Sequence, residues 1–237
     1  MDMKLYCFQV GSFRLPTLEV AMPMYAYLIE HPKGRVLVDT GQSYELRDEC
    51  SLFEEEDTIV PQLARLGYTP DDIDYVVISH MHLDHAGYMS SFPNAVFIVR
   101  KEELRAAWWP EPYEKPGYQF PTYEKARGFR YIQPGIDEDY DVFMDGSIVL
   151  IDTRGHTRGH QSVVLDLPNT GKVVLTIDAA PDKEILDRGF SGRPGVDSYQ
   201  EVRSLQKLRH LADSGYKVFF AHDPKNPHEK LAPQYYD

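Results

Sequence analysis

Ser79-His80-Met81-His82-Leu83-Asp84-His85-Ala86-Gly87 follows the β-branched run Tyr75-Val76-Val77-Ile78 and leads into a small-residue turn. It therefore sits where a strand gives way to a loop or a helix start. Side chains of an extended stretch alternate with period two, so His80 and His82 point the same way and can share one ion. Asp84 and His85, placed where the chain turns, can aim at a neighbouring ion. Imidazole nitrogens with a carboxylate suit Zn²⁺ and similar divalent cations, and catalytic sites keep a position open for water. The chain has nine histidines, and three of them fall within six residues beside an Asp, which argues against a chance cluster of surface histidines.

Further donors stand at the ends of other apolar runs. Gly155-His156-Thr157-Arg158-Gly159-His160 sets a histidine among glycines just after a strand ending at Asp152. Asp178 closes the run Val173-Val174-Leu175-Thr176-Ile177, and His222 closes Lys217-Val218-Phe219-Phe220-Ala221. Polar residues at the ends of apolar strands commonly cap turns, but three of them alongside the 80–85 cluster read as one metal site. Asp39 and Asp223 read as carboxylates that orient ligand histidines, and His160 as a hydrogen-bonding loop residue. His31, His210 and His228 read as surface residues.

The whole chain agrees with a small-molecule enzyme. Its 237 residues, 42% hydrophobic, suffice for one domain or one domain of two similar halves. A formal net charge of −12 argues against a nucleic-acid partner, which needs clustered Lys and Arg. Cys7 and Cys50 are too few for a disulfide framework and lack zinc-site spacing, so they read as thiols in a reducing compartment. The N-terminus alternates like a strand and does not resemble a signal peptide, and no window is long and apolar enough for a membrane span. The expectation is a cytoplasmic protein, monomer or homodimer, with a small-molecule substrate and neither nucleic-acid nor membrane partners.

Periodicity predicts strands at residues 4–10, 24–30, 35–39, 75–79, 95–99, 142–152, 162–167, 173–178 and 217–221. One helix should begin at residue 57 or 58, carry Pro61 in its opening turn and stop at Gly67. A second should span residues 197–212, with Val202, Leu205, Leu208 and Ala212 lying against a sheet. Residues 32–39 (PKGRVLVD) and 169–178 (NTGKVVLTID) both read as a glycine turn, a basic residue, a buried strand and a terminal Asp. If this echo is a duplicated half, Asp39 and Asp178 end at the same edge of a two-sheet sandwich.

His-Met-His-Leu-Asp-His matches the HxHxDH signature of the metallo-β-lactamase superfamily. Gly-His-Thr-Arg-Gly-His-Gln, Thr-Ile-Asp-Ala-Ala and Ala-His-Asp follow in the order and rough spacing of its N-acyl homoserine lactonase branch. The resemblance runs from the opening strands to His222. It implies a single domain over residues 1–237, an αββα sandwich of two mixed sheets flanked by helices, with a dinuclear site in a groove. Carried over by motif, one ion would take His80, His82 and His156, the other Asp84, His85 and His222, with Asp178 bridging. Zn is the favoured metal, with Mn, Fe or Co also compatible.

The resemblance further implies opening of the lactone ring of N-acyl homoserine lactones, and so quorum quenching, by a hydroxide bridging the two cations. A single Zn²⁺ already lowers the pKa of bound water to about 7. Asp84 and Asp178 would be the catalytic side chains, Asp84 or a metal-bound water returning the proton to the departing alkoxide. Other branches fit less well: position 82 is His and not the Glu of diiron oxygen-reducing relatives, and the bridging position is Asp and not the Cys of many β-lactamases. Hydrolysis of another small lactone or a thioester is the alternative, an iron redox protein of the same fold the more distant one.

One position departs from the lactonase pattern. The third residue after the bridging Asp is a Tyr in those lactonases, its hydroxyl supporting the substrate carbonyl, and here it is Pro181. Either a loop tyrosine (Tyr25, Tyr113, Tyr118 or Tyr123) supplies that hydroxyl, or the metals alone polarise the carbonyl, or the substrate differs. The first is preferred because residues 108–123 hold Trp108, Trp109, Tyr113, Tyr118, Phe120 and Tyr123 among four prolines. That segment reads as irregular, and as either a flap over the sheet or a wall of the substrate pocket.

Overall fold

The computed structural model describes residues 2–14, 20–192 and 195–237. Twelve strands are described: β1 Lys4–Phe13, β2 Met22–His31, β3 Gly34–Val38, β4 Tyr75–Val77, β5 Val96–Ile98, β6 Arg130–Ile132, β7 Tyr140–Asp141, β8 Ile148–Asp152, β9 Gln161–Leu167, β10 Gly171–Ile177, β11 Lys217–Phe220 and β12 Tyr235–Tyr236. The α-helices are α1 Ile59–Arg65, α2 Lys101–Trp108, α3 Phe120–Tyr123, α4 Lys183–Arg188 and α5 Ser198–Asp213. None of them is long and apolar enough to cross a membrane.

The strands form two mixed sheets, ordered β12-β1-β2-β3-β4-β5-β6 and β11-β10-β9-β8-β7. Period-two alternation decides which face each residue serves. On β2, Tyr25, Tyr27 and Ile29 join the core between the sheets, where they meet Leu150, Val163, Leu165 and Leu175. Met24, Ala26 and Leu28 point the other way, into a second core with Ile59 and Leu63 of α1 and Ala106 of α2. Outside the smaller sheet, Val174 and Phe220 pack against Ile185 of α4 and Leu205 and Leu208 of α5. The result is the helix, sheet, sheet, helix layering that the resemblance implies.

The two helices expected from the sequence, α1 and α5, form for the reasons visible in their residues. Thr58 precedes α1, Pro61 lies in its first turn, and Gly67 follows at φ 81°. Asp197 caps α5 by accepting from Tyr199 N and Gln200 N.

The internal echo has a topological counterpart. β2 and β3 pair antiparallel, and β3 then pairs parallel with β4; β9 and β10 pair antiparallel, and β10 then pairs parallel with β11. His80 follows β4 and His222 follows β11, so the two halves deliver equivalent strand ends to one edge. Each inner strand gives way at a residue in the left-handed region, Asp39 directly after β3 at φ 60° and Ile177 at the end of β10, just before Asp178, at φ 51°. For a β-branched side chain that conformation is strained, and such strain concentrates at functional sites.

Three expectations fail here. Residues 142–152 are not one strand: Asp141 accepts from Phe143 N and Gly146 N, and Asp145 from Ser147 N, folding 142–147 into a turn before β8. His31 is buried, its ring stacked 4.3 Å from Phe143. His228 is half-buried, packed 4.2 Å from the Tyr25 ring, with its Nε2 3.0 Å from the Tyr27 hydroxyl.

Candidate metal centre

His80, His82, Asp84, His85, His156, Asp178 and His222 all converge at the edge between the two sheets. Three ligand-competent groups emerge: His80, His82 and His156; His80, His85 and Asp178; and Asp84, His85 and His222, the donor atoms within each lying no more than 4.8 Å apart. His82 Nδ1 is 3.2 Å from His156 Nε2. Asp178 stands between the first and third groups. Its Oδ1 is 3.0 Å from His222 Nε2 and 3.2 Å from His85 Nε2, and its Oδ2 is 3.4 Å from His156 Nε2. Asp84 Oδ2 lies 3.4 Å from His85 Nε2 and 3.5 Å from His222 Nε2.

The remaining atoms of these rings are fixed from outside. After β4 the chain leaves the sheet, and a helical turn closed by Ala86 N on His82 O swings Asp84 and His85 away from His80 and His82. His85 Nδ1 meets Asp39 Oδ2 at 2.8 Å, while the same carboxylate accepts from Ser79 N and Ser79 Oγ, each at 2.7 Å. His222 Nδ1 donates to Pro23 O at 2.7 Å. These bonds turn both Nε2 atoms inward and, in the neutral ring, leave them as the donors to a cation. His160 accepts from Asp178 N through Nε2 at 3.2 Å and meets Thr153 Oγ1 through Nδ1 at 2.9 Å. It is thus the hydrogen-bonding residue expected of it.

Electrostatics inside the cluster are divided. Burial pushes His80 and His82 below the ordinary histidine range and His156 down to about 4. Burial also opposes charge on His85 and His222, but the surrounding carboxylates outweigh it and raise both. Asp84 is held at about 2 by His85 and His222 despite its burial, and Asp178 is lowered by His222 and His85.

Asp223 does not orient a ligand histidine. Its oxygens accept from the backbone N–H groups of Lys183, Lys225 and Asn226 and from Asn226 Nδ2, so it shapes the turn after His222. The four tyrosines weighed against Pro181 are also placed elsewhere. Tyr118 donates to Glu103, Tyr123 donates to Ala107 O, the Tyr113 hydroxyl accepts from Arg158, and the buried Tyr25 ring packs 4.2 Å from that of His228. Pro181 itself is buried, and its carbonyl accepts from His222 N at 2.9 Å. The aromatic segment packs against the cluster as its wall: the Tyr118 ring lies 5.2 Å from that of His82, and Trp108 contacts Phe120 and Tyr123 edge-on.

A family model described as the metallo-beta-lactamase superfamily matches residues 22–222. The chain belongs to the metallo-β-lactamase superfamily. Among its superfamily relatives, the N-acyl homoserine lactonase AttM of Azorhizobium caulinodans is 34% identical, the match covering 100% of this chain and 99% of that protein. The N-acyl homoserine lactonase AiiA of Bacillus thuringiensis subsp. kurstaki is 32% identical over 90% of this chain and 86% of its own. The solved structure of a quorum-quenching N-acyl homoserine lactone hydrolase superposes with a TM-score of 0.86 at 31% identity, covering 98% of both chains. A further one, of an N-acyl homoserine lactone hydrolase with the product N-hexanoyl-L-homoserine at its catalytic metal center, gives 0.83 at 29% identity, again over 98% of each chain. Sequence reasoning missed Glu103, whose buried carboxylate touches the loops that carry His80, His82 and His156. A signal existed, because at helical spacing Glu103 shares a face with Ala106 and Ala107.

Proposed function

We propose that this protein is a metal-dependent lactonase that opens the ring of N-acyl homoserine lactones and so quenches quorum signals. Two divalent cations serve it, Zn²⁺ being the one its donors suit best. The observation that carries the reading is the set of inward-facing, buried ligand atoms with no hydrogen-bond partner outside the cluster: His80 Nε2, His85 Nε2, His222 Nε2 and Asp178 Oδ1. Buried polar atoms are nearly always satisfied, so four orphans on one spot fit a cation. His80, His82 and His156 would hold one ion, Asp84, His85 and His222 the other, and Asp178 both. Bound there, the cations supply an acidified water and a Lewis acid for the ester carbonyl.

The protein's own part is placement and proton transfer. A cavity of about 710 Å³, bordered by Val20, Met22, Lys183 and Asn226, has His222 in its lining and offers a lactone room beside the centre. Asp84, ionised and beside His85 and His222, is the base that takes the proton of the attacking water and returns it to the ring oxygen as the C–O bond breaks. Water is thereby added across the ester bond, giving the open N-acyl homoserine. Asp39 and Pro23 O hold His85 and His222 in the tautomers that this arrangement requires.

Pro181 favours a wider substrate range within the same chemistry, since a site without the family's tyrosine hydroxyl is less fitted to one amide-bearing lactone. The deciding experiment pairs elemental analysis with turnover of N-acyl homoserine lactones, simple γ- and δ-lactones and a thioester. Two ions per chain with lactone turnover is the expected result. A thioester hydrolysed where no lactone is would overturn the lactonase reading.

A further inference from the structure

Glu103 is fully buried on the inner face of α2, and among the described residues no Lys or Arg pairs with it. Its oxygens are saturated by donors instead: Oε1 accepts from Met81 N at 2.8 Å and from the Tyr118 hydroxyl at 3.2 Å, and Oε2 from Gly159 N at 2.9 Å. Bonds to an ionised acceptor are roughly twice as strong as neutral ones, which offsets the cost of burying the charge.

The identity of those donors is what matters. Met81 separates His80 from His82. Gly159 closes the loop that carries His156, and a Cβ there would collide with the backbone of Glu103, so the loop rests directly on α2. Tyr118 lays its ring against His82, and a Cβ on the preceding Gly117 would come within 2.5 Å of His82 Nε2. That turn therefore sits against the Nε2 side of the imidazole and leaves Nδ1 facing His156. The anchors of His85 and His222 do not involve Glu103: they are Asp39 and Pro23 O.

We propose that Glu103 is the positioning residue of the His80, His82 and His156 set, one carboxylate that holds three separate segments in register around one ion. This rests on the reading of those histidines as ligands. Functional constellations need their groups held within about 0.5 Å, which depends on a rigid supporting layer. Loss of Glu103 therefore weakens one ion and spares the other.

The test is a chelator competition with Zn²⁺ on the full chain, wild type against Glu103→Gln. The amide keeps the shape but turns an NH₂ toward Met81 N or Gly159 N, a donor facing a donor. One of the two affinities is expected to fall about tenfold or more, the scale set by other outer-layer partners. The other should stay within about twofold, with an unchanged circular dichroism spectrum in excess zinc. Repeating the pair on an Asp84→Ala background, where only the three-histidine set remains complete, assigns the loss. A folded Glu103→Gln protein with both affinities intact, or with both lowered equally, overturns the proposal. Should that variant fail to fold, Tyr118→Phe carries the test: a weaker ion of the same set supports the proposal, and wild-type affinities overturn it. A wild type that takes up no zinc would refute the metal reading itself, a result visible before any variant is compared.

Discussion

Asp39 Oδ2 stands 2.8 Å from His85 Nδ1, on a residue whose own backbone is held at φ 60°. The carboxylate fixes the His85 tautomer, while its other bonds, to Ser79, anchor the start of the HxHxDH turn. Asp39→Asn separates these roles, because Asn also tolerates the left-handed region. The amide should keep the bond to Ser79 N but present a donor to His85, forcing the ring proton onto Nε2. Metal affinity should fall by about ten- to a hundredfold. Chelator competition measures it, and unchanged affinity would remove Asp39 from the site.

Asp178→Asn takes away the one charge shared by both proposed ions. The expected outcome is loss of one ion per chain and a fall in kcat of at least about a hundredfold, the scale of other lost electrostatic stabilisers. Elemental analysis and steady-state kinetics check it together. Wild-type turnover in this variant would sink the bridging role.

The sequence disclosed most of what positions this site. The strands before His80, Asp178 and His222 are long enough, or β-branched enough, to read directly, and α1 and α5 announce themselves through Thr58, Gly67 and Asp197. Three-residue β6 and two-residue β12 carry no usable period. α2 has only eight residues, most of them polar, so the face that Glu103 shares with Ala106 and Ala107 is a weak signal in the sequence. Asp223 and the tyrosines were misplaced for another reason: which partner a side chain finds depends on segments far away in the chain. Tyr118 reaches Glu103, and His222 reaches Pro23, by contacts that no local pattern encodes.

Burial alone lowers His228 to about 4, against 6.5 in an exposed chain. Between those values the unfolded chain binds more protons than the folded one, so stability rises with pH there. It is fully present above about pH 6.5 and drains away as pH falls toward 4. In His228→Gln, whose amide oxygen can still accept from the Tyr27 hydroxyl, urea unfolding of metal-free protein should depend less steeply on pH across that window. Parallel curves for the two proteins would contradict the assignment.

Removing the hydroxyls of Tyr25, Tyr113 or Tyr123 should leave kcat within about threefold, since Tyr123 already donates to Ala107 O, Tyr25 is buried against the His228 ring, and Tyr113 is turned to Arg158. An oxyanion donor would be worth about ten- to a thousandfold. Tyr123→Phe should cost instead about 1 kcal/mol of stability, through its lost bond to Ala107 O. A large drop in kcat for any one of the three would identify the missing donor.

The split of the proposed ligands between two sheets has a mechanical consequence. His80, His82, Asp84 and His85 hang from the seven-stranded sheet, and His156, Asp178 and His222 from the five-stranded one. The proposed ions would therefore act as rivets across a seam, and neither half of the chain contains a complete set of the proposed ligands. Assembly of the centre must wait for pairings between residues far apart in sequence, the slow step in folds of high contact order. Once closed, the rivets resist any opening that would slide one sheet over the other, and stripping them should loosen the seam before it unravels either sheet.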